Sequence, residues 1–362
     1  MKNFLILGIL SVITNLALGQ NREILRQNKF NSETFKTYEI EVKKKWFDSV
    51  KINSSGNVQF VDARADKSKL GFVRMGENLL YYNMVLPEES VGYINSKFQH
   101  VLKEASNQNN LKIVIRHLWM SHLITNINPN KKGTPIKEYV SYCYFKADYY
   151  DEKNGLVEFI GQLDTVFSRL GWMGNASDKL IKKVLVTALN ACDSFVVLSD
   201  NPVFSVKLLS DSLENQFNYP IIKTNEPKKG IYRNYDEFLN NNPIQGEFEV
   251  MSEKKETYLL SKTIDTAVTN AAWGYSDGKY IYKHLNDSYY KMNRVQNTFE
   301  LAGPRQITKI YTNEQKFLNM AIDSFFWGLT GGVMTFIFYQ TEEKLMRELV
   351  PYQLNIKNGT FY

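Results

Sequence analysis

The chain has 362 residues, of which 44 are lysine or arginine and 38 are aspartate or glutamate. The resulting mild positive charge is scattered and lacks dense basic clusters, so a nucleic-acid partner is not expected. Nine prolines and no low-complexity tract argue against an extensively disordered chain. The length permits a well-buried core and about two domains.

The N-terminal stretch, residues 1–19, has the pattern of a secretory signal peptide. Lys2 supplies a short positive region, an apolar run follows from Phe4 to Leu18, and Ala17-Leu18-Gly19 forms a small-x-small cleavage site. No cysteine follows that site directly, which argues against a lipid anchor. We therefore expect an exported protein that matures at Gln20 and works in the periplasm or cell envelope.

The first large part of the mature chain, residues 20–217, predicts a layered α+β domain, because strand and helix patterns are mixed along it. Alternating residues predict strands at 37–42, 50–64, 111–119, 139–150 and 156–160. Apolar residues at helical spacing predict one helix over 91–105, opened by Pro87, and a second over 179–191, capped by Asn175.

Two cysteines, Cys143 and Cys192, lie in this domain, and the expected compartment permits disulfides. Cys192 falls on the apolar stripe of the second helix, and Cys143 lies in an aromatic strand. Two buried, unpaired thiols and one structural disulfide both fit this pattern. A redox or nucleophilic role is not expected, because no motif that lowers a thiol pKa surrounds either residue.

The remaining chain is divided into a linker at 218–230, a β-hairpin-rich domain at 231–312, a Gly-rich apolar segment at 313–341 and a C-terminal tail at 342–362. Hairpin turns are predicted at Asp277-Gly278 and near Gln296-Asn297, and the tail carries a further turn signal, Asn358-Gly359. The predicted fold class is therefore α+β, with a layered helix/strand N-terminal domain and a hairpin-rich C-terminal domain.

The uncharged stretch 324–341 permits two interpretations. Its 18 residues lie at the lower edge of what spans a bilayer, which takes about 20. Gly328 and Gly332 form a G-x-x-x-G pair, which would let membrane helices pack closely. A buried core element would have a similar composition, so membrane association and core packing both stay open here.

The hairpin at Asp277-Gly278 predicts an aromatic surface. With a two-residue turn, Tyr275 pairs with Tyr280 and Trp273 pairs with Tyr282, so the four rings share one face. The opposite face is expected to be more solvated and carries Ala272, Gly274, Ser276, Lys279, Ile281 and Lys283. The rings would stack on a sugar or a partner protein, although packing on the domain core is the more frequent use of aromatic residues.

Asp62, Arg64 and Asp66 are spaced two apart, which in a strand would put all three on one side. This carboxylate–guanidinium–carboxylate row would hold a cation or a polar ligand. The more frequent outcome of such spacing is a surface ion-pair ladder, which contributes little to stability.

Catalytic, metal and cofactor sites are not predicted. His117 and His122 are five residues apart, which fits neither a strand nor a helix geometry for a two-histidine metal site. His117 shares a predicted face with Ile115 and Trp119, so we expect a hydrogen-bonded core histidine, and it is the first choice for a catalytic residue. The carboxylates available for glycoside hydrolysis are Asp148, Asp151, Glu152, Glu158 and Asp164.

Three islands of sequence resemble a group of exported proteins. Residues 230–243 follow the pattern G-[IV]-Y-x-x-[FY]-x-E-F-x-x-N-x-P, residues 273–282 contain W-G-Y-x-D-G-K, and residues 62–72 follow D-x-R-x-D-x-S-x-[IL]-G. Together they resemble a module of uncharacterised exported proteins of Gram-negative bacteria. The resemblance implies export and assigns no activity or site residue.

Export, composition and the absence of an active-site motif favour a non-enzymatic structural or interaction protein of the cell envelope. Its partner would be an envelope protein or a glycan, contacted through the aromatic hairpin or the charged row. Two alternatives remain, which are an exported hydrolase of glycan or peptide and a soluble glycan-binding module.

Overall fold

The structure, a computed structural model, describes residues 30–50, 52, 57–75, 80–89, 91–99, 110–129, 135–170, 173–195, 203–253, 256–286, 288–304 and 349–362. Within these residues the chain is a strand-rich mixture of helices and strands, which confirms the predicted α+β class. It divides into two units. The first unit comprises residues 35–216, and the second comprises residues 30–34 with the described residues from 217 onwards.

Three predictions fall outside the described residues. They are the signal peptide at 1–19, the apolar stretch 324–341 with Gly328 and Gly332, and the second half of the predicted helix 91–105. Among the helices that the structure does describe, none is long and apolar enough to cross a bilayer.

The first unit is built on a sheet that has eight strands within the described residues. The strands are β1 Lys36–Glu39, β2 Asn57–Asp62, β3 Gly71–Met75, β4 Leu80–Val85, β5 Asn110–Pro129, β6 Pro135–Lys153, β7 Leu156–Leu170 and β8 Val203–Ser205. Their order is β1-β4-β3-β5-β6-β7-β8, and β2 also pairs with β5. The long strands β5, β6 and β7 form consecutive antiparallel pairs.

Asn154 and Gly155 close the β6–β7 hairpin. Their φ angles are 53° and 76°, and positive φ at both positions is what a two-residue type I′ turn requires. Lys153 therefore pairs with Leu156. Both strands are longer than predicted. β6 continues to Lys153, directly before the turn, and β7 continues from Leu156 to Leu170.

Within the described part of this unit, three α-helices accompany the sheet, namely α1 Val91–Phe98, α2 Met173–Asn190 and α3 Val206–Asn215. The predicted apolar stripe of α2 is confirmed, since it is buried in the main core of the first unit. The helix begins at Met173, however, so Asn175 lies inside it and does not cap it. Burial of Ala176 and Ser177 extends the helix in the N-terminal direction and outweighs the capping preference of asparagine.

Cys143 and Cys192 are both buried in this core, and both are free thiols. Each Sγ donates a weak hydrogen bond to a nearby carbonyl, Cys192 to Ala188 O and Cys143 to Tyr144 O, each at 3.7 Å. Burial raises the pKa of both thiols, so they remain protonated. The structure thus decides between the two open alternatives in favour of unpaired apolar cysteines.

A β-bulge in β5 changes which residues face the core. Ile115 pairs with Ala147 and His117 pairs with Lys146, so Arg116 is an extra residue in β5. One extra residue reverses the alternation of side chains along the strand. Ile115 and Leu118 consequently share the core, and the prediction that His117 is a core histidine is wrong, since it is half-buried and outside that core.

The second unit contains a six-stranded antiparallel sheet, ordered β16-β15-β14-β13-β12-β9, and a separate β10–β11 pair, as far as its described residues show. The strands are β9 Gly230–Tyr232, β10 Phe248–Glu253, β11 Glu256–Ser261, β12 Gly274–Ser276, β13 Ile281–Leu285, β14 Ser288–Val295, β15 Thr298–Pro304 and β16 Leu349–Gln353. The helices are α4 Pro220–Lys223, α5 Tyr235–Leu239 and α6 Thr266–Asn270.

Two of the predicted turns in this unit are confirmed. Val295 pairs with Thr298, so Gln296-Asn297 is a two-residue hairpin turn. Gly359 has a φ of 75° in the turn between the bridged residues Leu354 and Phe361. The predicted linker 218–230, in contrast, contains α4, whose Ile221 and Ile222 are buried.

Candidate functional site

The connection between β12 and β13 differs from the predicted two-residue turn. Tyr275 pairs with Tyr282 and Ser276 with Ile281, which leaves four residues, 277–280, between the strands. Asp277 accounts for the extra length, because its Oδ1 accepts hydrogen bonds from the backbone N–H groups of Lys279 at 2.8 Å and Tyr280 at 2.7 Å. The register shifts by two residues, and Tyr280 lies in the turn.

The other three aromatic residues occupy two different packing environments. Tyr275 stacks on Tyr282 with ring centroids 4.6 Å apart, and Tyr275 is buried in an apolar cluster. Trp273 stacks instead on Phe238 at 4.4 Å. The predicted single platform of four rings is therefore wrong. Its supposedly solvated opposite face is wrong as well, since four of its residues are buried: Ala272, Gly274, Ser276 and Ile281.

The sequence island at 230–243 forms β9, α5 and the turn that follows. Its polar groups are used locally, because the Asn234 side chain accepts a hydrogen bond from Glu237 N–H at 2.9 Å and Tyr232 OH donates to Asn241 Oδ1 at 3.1 Å. Gly230 has a φ of 150°, and a Cβ there would lie 2.4 Å from Ile244 O. The motif therefore specifies a folded segment, with the α5 cap as its clearest element.

The charged row at 62–66 forms a buried loop instead of a surface ladder. Arg64 and Asp66 are only 5% and 2% exposed. Arg64 donates to both carboxylate oxygens of Asp62, at 2.9 and 2.8 Å, and to Lys69 O at 2.8 Å. The surface-ladder prediction is wrong because β2 ends at Asp62, and the alternation of a strand does not continue beyond it.

His122, which was considered from the sequence only as a metal ligand and was rejected in that role, is buried under α2. Its Nε2 lies 2.9 Å from Ser177 Oγ and 3.1 Å from Ser141 Oγ. Burial, and secondarily the charge of Arg74, lowers the pKa of His122 to about 3, so the ring is neutral. This polar contact joins α2 to β5 and β6. The bulge at Arg116 places His122 on the core side, which no local pattern could indicate.

The carboxylates considered for hydrolysis are mostly held in ion pairs of the first unit. Asp148 pairs with Arg116 at 2.7 Å, and Asp164 and Glu152 pair with lysines. Asp151 and Glu158 lie directly opposite each other on β6 and β7. Burial, and then the charge of Glu158, raises the pKa of Asp151.

The second unit contains an open cleft of about 440 Å³. Its rim carries charged and aromatic side chains, which are Glu33, Lys279, Tyr280, Lys291 and Arg294. Its lining also includes buried apolar side chains, among them Phe30, Ile281, Met292 and Phe299. Asn31, Asn225 and Asn293 add amide groups. Tyr280 is the residue of the predicted aromatic hairpin that lies in this cleft.

Strand register brings the two cleft lysines to one ring. The β13–β14 ladder pairs Tyr282 with Lys291, next to the turn that contains Lys279 and Tyr280. Lys291 Nζ lies 3.5 Å from the centroid of the Tyr280 ring, and Lys279 Nζ lies 5.0 Å from it. Both distances are within the range of cation–π attraction.

The cleft has a net positive formal charge, because the three cations Lys279, Lys291 and Arg294 outnumber the one carboxylate, Glu33. Arg294 donates to Thr224 O at 2.8 Å, a neutral partner that leaves its charge in place. Among the described residues, no ion pair joins Lys279, Lys291 or Arg294 to a carboxylate. A hydrogen bond with Lys279, and then the charges of Lys291 and Lys279, lower the pKa of the Tyr280 phenol. Such a site favours a negatively charged ligand.

Lys291, Arg294 and Glu33 were not predicted as site residues. Lys291 and Arg294 lie on β14, the strand next to β13, and Glu33 comes from the distant segment 30–34; the β13–β14 register and that segment place them around Tyr280. In the part of the chain that the structure describes, no cluster of three or more His, Cys, Asp or Glu residues is arranged to hold a metal ion.

Comparison of the chain with protein-family models, with curated proteins and with solved structures found no match. The function is therefore argued from the geometry and charge of the cleft.

Proposed function

We propose that this chain is an exported cell-envelope protein that acts by binding a glycan or an envelope protein, with the cleft around Tyr280 as its contact site. The observation that carries this proposal is an open cleft whose rim combines one aromatic ring with three cations and one carboxylate, Glu33. Its volume of about 440 Å³ lies within the usual size of small-molecule sites, about 300–1,000 Å³. An aromatic ring beside polar and charged groups is a common recognition surface.

The proposed location rests on the sequence. The signal-peptide pattern at 1–19 supports export, and the three islands at 62–72, 230–243 and 273–282 support kinship with exported proteins of Gram-negative bacteria. As the finer architecture we propose a layered helix/strand domain over 20–217 and a hairpin-rich domain over 231–312. Fractionation of cells tests the location, since recovery of the uncleaved chain from the cytosol contradicts it.

Membrane association through 324–341 is part of the proposal. The uncharged stretch and its Gly328–Gly332 spacing support it. An alkaline wash of isolated membranes provides the test, because an embedded segment keeps the protein in the pellet and a peripheral protein is released.

The binding function is tested by titrating the mature protein, from Gln20 onwards, with oligosaccharides derived from the cell envelope. We expect Tyr280→Ala to weaken binding about tenfold or more, since stacking or cation contacts at one ring are worth roughly 1–3 kcal/mol. Tyr258→Ala is the matched control, because Tyr258 is an exposed tyrosine of the same unit that is not among the cleft residues. Equal binding by wild type and Tyr280→Ala would show that the cleft is not the contact site.

A hydrolase is the second candidate, and one observation favours it. Asp151 and Glu158 are cross-strand neighbours on β6 and β7, and such pairs have Cβ atoms about 4.5–5.5 Å apart. Retaining glycosidases hold their two carboxyl groups about 5–5.5 Å apart. Analysis of the products after the same titrations distinguishes the two functions. If the oligosaccharides are cleaved and Glu158→Gln abolishes this cleavage, the function is hydrolysis and not binding.

A further inference from the structure

We propose that the cleft binds an anionic group, a carboxylate or a phosphate carried on a sugar, between the ammonium groups of Lys279 and Lys291 and the guanidinium of Arg294. This inference rests on the proposed function and specifies the chemical class of ligand at the same site.

The first step concerns the Tyr280 ring. Lys291 Nζ lies 3.5 Å from the ring centroid and covers one face of the ring, and Lys279 Nζ lies 5.0 Å from the centroid and hydrogen-bonds the phenol. A sugar cannot stack on the face that Lys291 covers. Tyr280 is therefore a positioning residue, which fixes where the positive charges point, and the charges are the groups that meet the ligand.

The second step concerns repulsion between the cations. Lys279 and Lys291 approach the same ring, and within the described residues no carboxylate forms an ion pair with either of them. Arg294 adds a third positive charge, because it donates to Thr224 O and Gln296 O, which carry no formal charge. An anion bound beside Lys279 and Lys291 attracts both ammonium groups and offsets the repulsion between them, and Arg294 adds to the positive potential of the same cleft.

The third step concerns the remainder of the ligand. Beside the cations the cleft presents the exposed residue Asn225 and the partly exposed Asn31 and Asn293, whereas Phe30 and Phe299 lie beneath them and are each only 2% exposed. Amide groups suit the hydroxyl groups of a sugar. A bare inorganic ion would use only the charged part of this lining.

The experiment compares four ligands with the mature protein. They are trigalacturonic acid, its neutral methyl ester, glucose 6-phosphate and inorganic phosphate. We expect an anionic sugar to bind at least about tenfold more tightly than the neutral ester, and its affinity to fall as salt rises from about 50 to about 300 mM. The acid and the sugar phosphate together show which anion the cleft prefers.

Variants assign the effect to the cleft. Lys279→Gln and Lys291→Gln should each weaken anionic binding about three- to tenfold, as expected for partly exposed charged contacts. Lys262→Gln removes an exposed lysine that is not among the cleft residues and should leave the affinity unchanged. Tyr280→Phe keeps the ring and should retain most of the affinity, whereas Tyr280→Ala should lose it. Circular dichroism and the melting temperature verify that each variant is folded.

The outcomes separate this inference from the proposed function. If the methyl ester binds as tightly as the acid and the lysine variants behave as wild type, while Tyr280→Ala still loses binding, the cleft binds sugars without selecting anions. If inorganic phosphate binds as tightly as glucose 6-phosphate, the sugar does not contribute to the affinity, and the inference that the ligand is a sugar is wrong. If no anionic ligand binds, the inference is overturned. Cleavage of the ligands overturns the proposed function itself.

Discussion

Two short connections of this protein, the loop at 63–70 and the turn at 277–280, contain similar residues and use them differently. In the loop, the carboxylate of Asp62 receives two hydrogen bonds from the Arg64 guanidinium and one from its backbone N–H, and the two side chains are only 12% and 5% exposed. In the turn, Asp277 Oδ1 accepts from two backbone N–H groups and Oδ2 accepts from the Tyr282 hydroxyl, and within the described residues Asp277 forms no ion pair with the neighbouring Lys279.

The difference shows what a nearby carboxylate does for a basic residue. A carboxylate that faces the cation neutralises it and builds architecture, which is the role of Asp62. A carboxylate that caps the backbone leaves the cation available at the surface, which is the situation of Lys279 beside Tyr280. Charge that is compensated inside the chain contributes to folding, and charge that is left in an open cleft is a candidate for binding.

The largest expected effect concerns the loop. Arg64→Ala should lower the free energy of unfolding by about 3 kcal/mol, because it leaves the mostly buried Asp62 carboxylate and the Lys69 carbonyl without the guanidinium that pairs with them. Denaturant unfolding of the mature protein measures this loss. Arg169→Ala, at an exposed arginine of the same unit, should change it by no more than about 0.5 kcal/mol. A similar small change for both variants would mean that the loop does not depend on its ion pair.

Trp273 and Tyr280, two aromatic residues of the second unit, show the same contrast between a role in folding and a role in binding. Trp273→Ala should cost about 3 kcal/mol of stability, because the indole packs on Phe238 in the core of that unit. Tyr280→Ala should stay within about 0.5 kcal/mol of wild type and lose ligand affinity instead. Thermal unfolding and titration of both variants check this pair of results. If Trp273→Ala leaves the stability unchanged, the Trp273 side chain does not contribute to the core.

The buried histidine of the first unit makes stability depend on pH. His122 has a pKa of about 3 in the folded protein, below its ordinary value of 6.5. Between these values the unfolded chain binds a proton that the folded chain does not, so stability falls as the pH falls from 6.5 toward 3. The slope from this residue approaches about 1.4 kcal/mol per pH unit.

Unfolding free energies of wild type and His122→Asn at pH 6.5 and 4.5 isolate this contribution. The variant should be less stable at pH 6.5, where Ser141 and Ser177 lose a partner, and should show a shallower pH dependence. His117→Asn, at a half-buried histidine of the same strand, serves as the control. Identical slopes for wild type and His122→Asn would contradict a neutral buried ring.

The smallest effect is electrostatic and lies in the cleft. Lys279 and Lys291 lower the pKa of Tyr280, while Asp277 acts in the opposite direction. Lys291→Gln should therefore raise the pKa of Tyr280, and a bound anion should raise it as well. NMR titration of labelled tyrosine, with Tyr280→Phe to assign the signal, measures both shifts, and Lys262→Gln should leave the pKa unchanged.

Much of the local structure follows from local pattern. The apolar stripe of α2 and the turns at Gln296-Asn297 and Asn358-Gly359 agree with their predictions, because helical spacing and turn chemistry act over a few residues. Asn154-Gly155 carried an equally direct signal for the β6–β7 hairpin. The candidate site was predictable only through Tyr280, since Lys291, Arg294 and Glu33 have no local feature that marks them.

The amino-acid sequence by itself determined the α+β class, the periodic faces of the elements and the residues that can occupy positive φ, since these depend on side-chain chemistry within one or two turns of chain. The tertiary structure decided the rest through strand register. The extra residue at Arg116 moved His117 out of the core and His122 into it, and the hydrogen bonds of Asp277 moved Tyr280 out of the strand. The cleft exists because the β13–β14 register and the distant segment 30–34 bring together side chains that no local pattern relates.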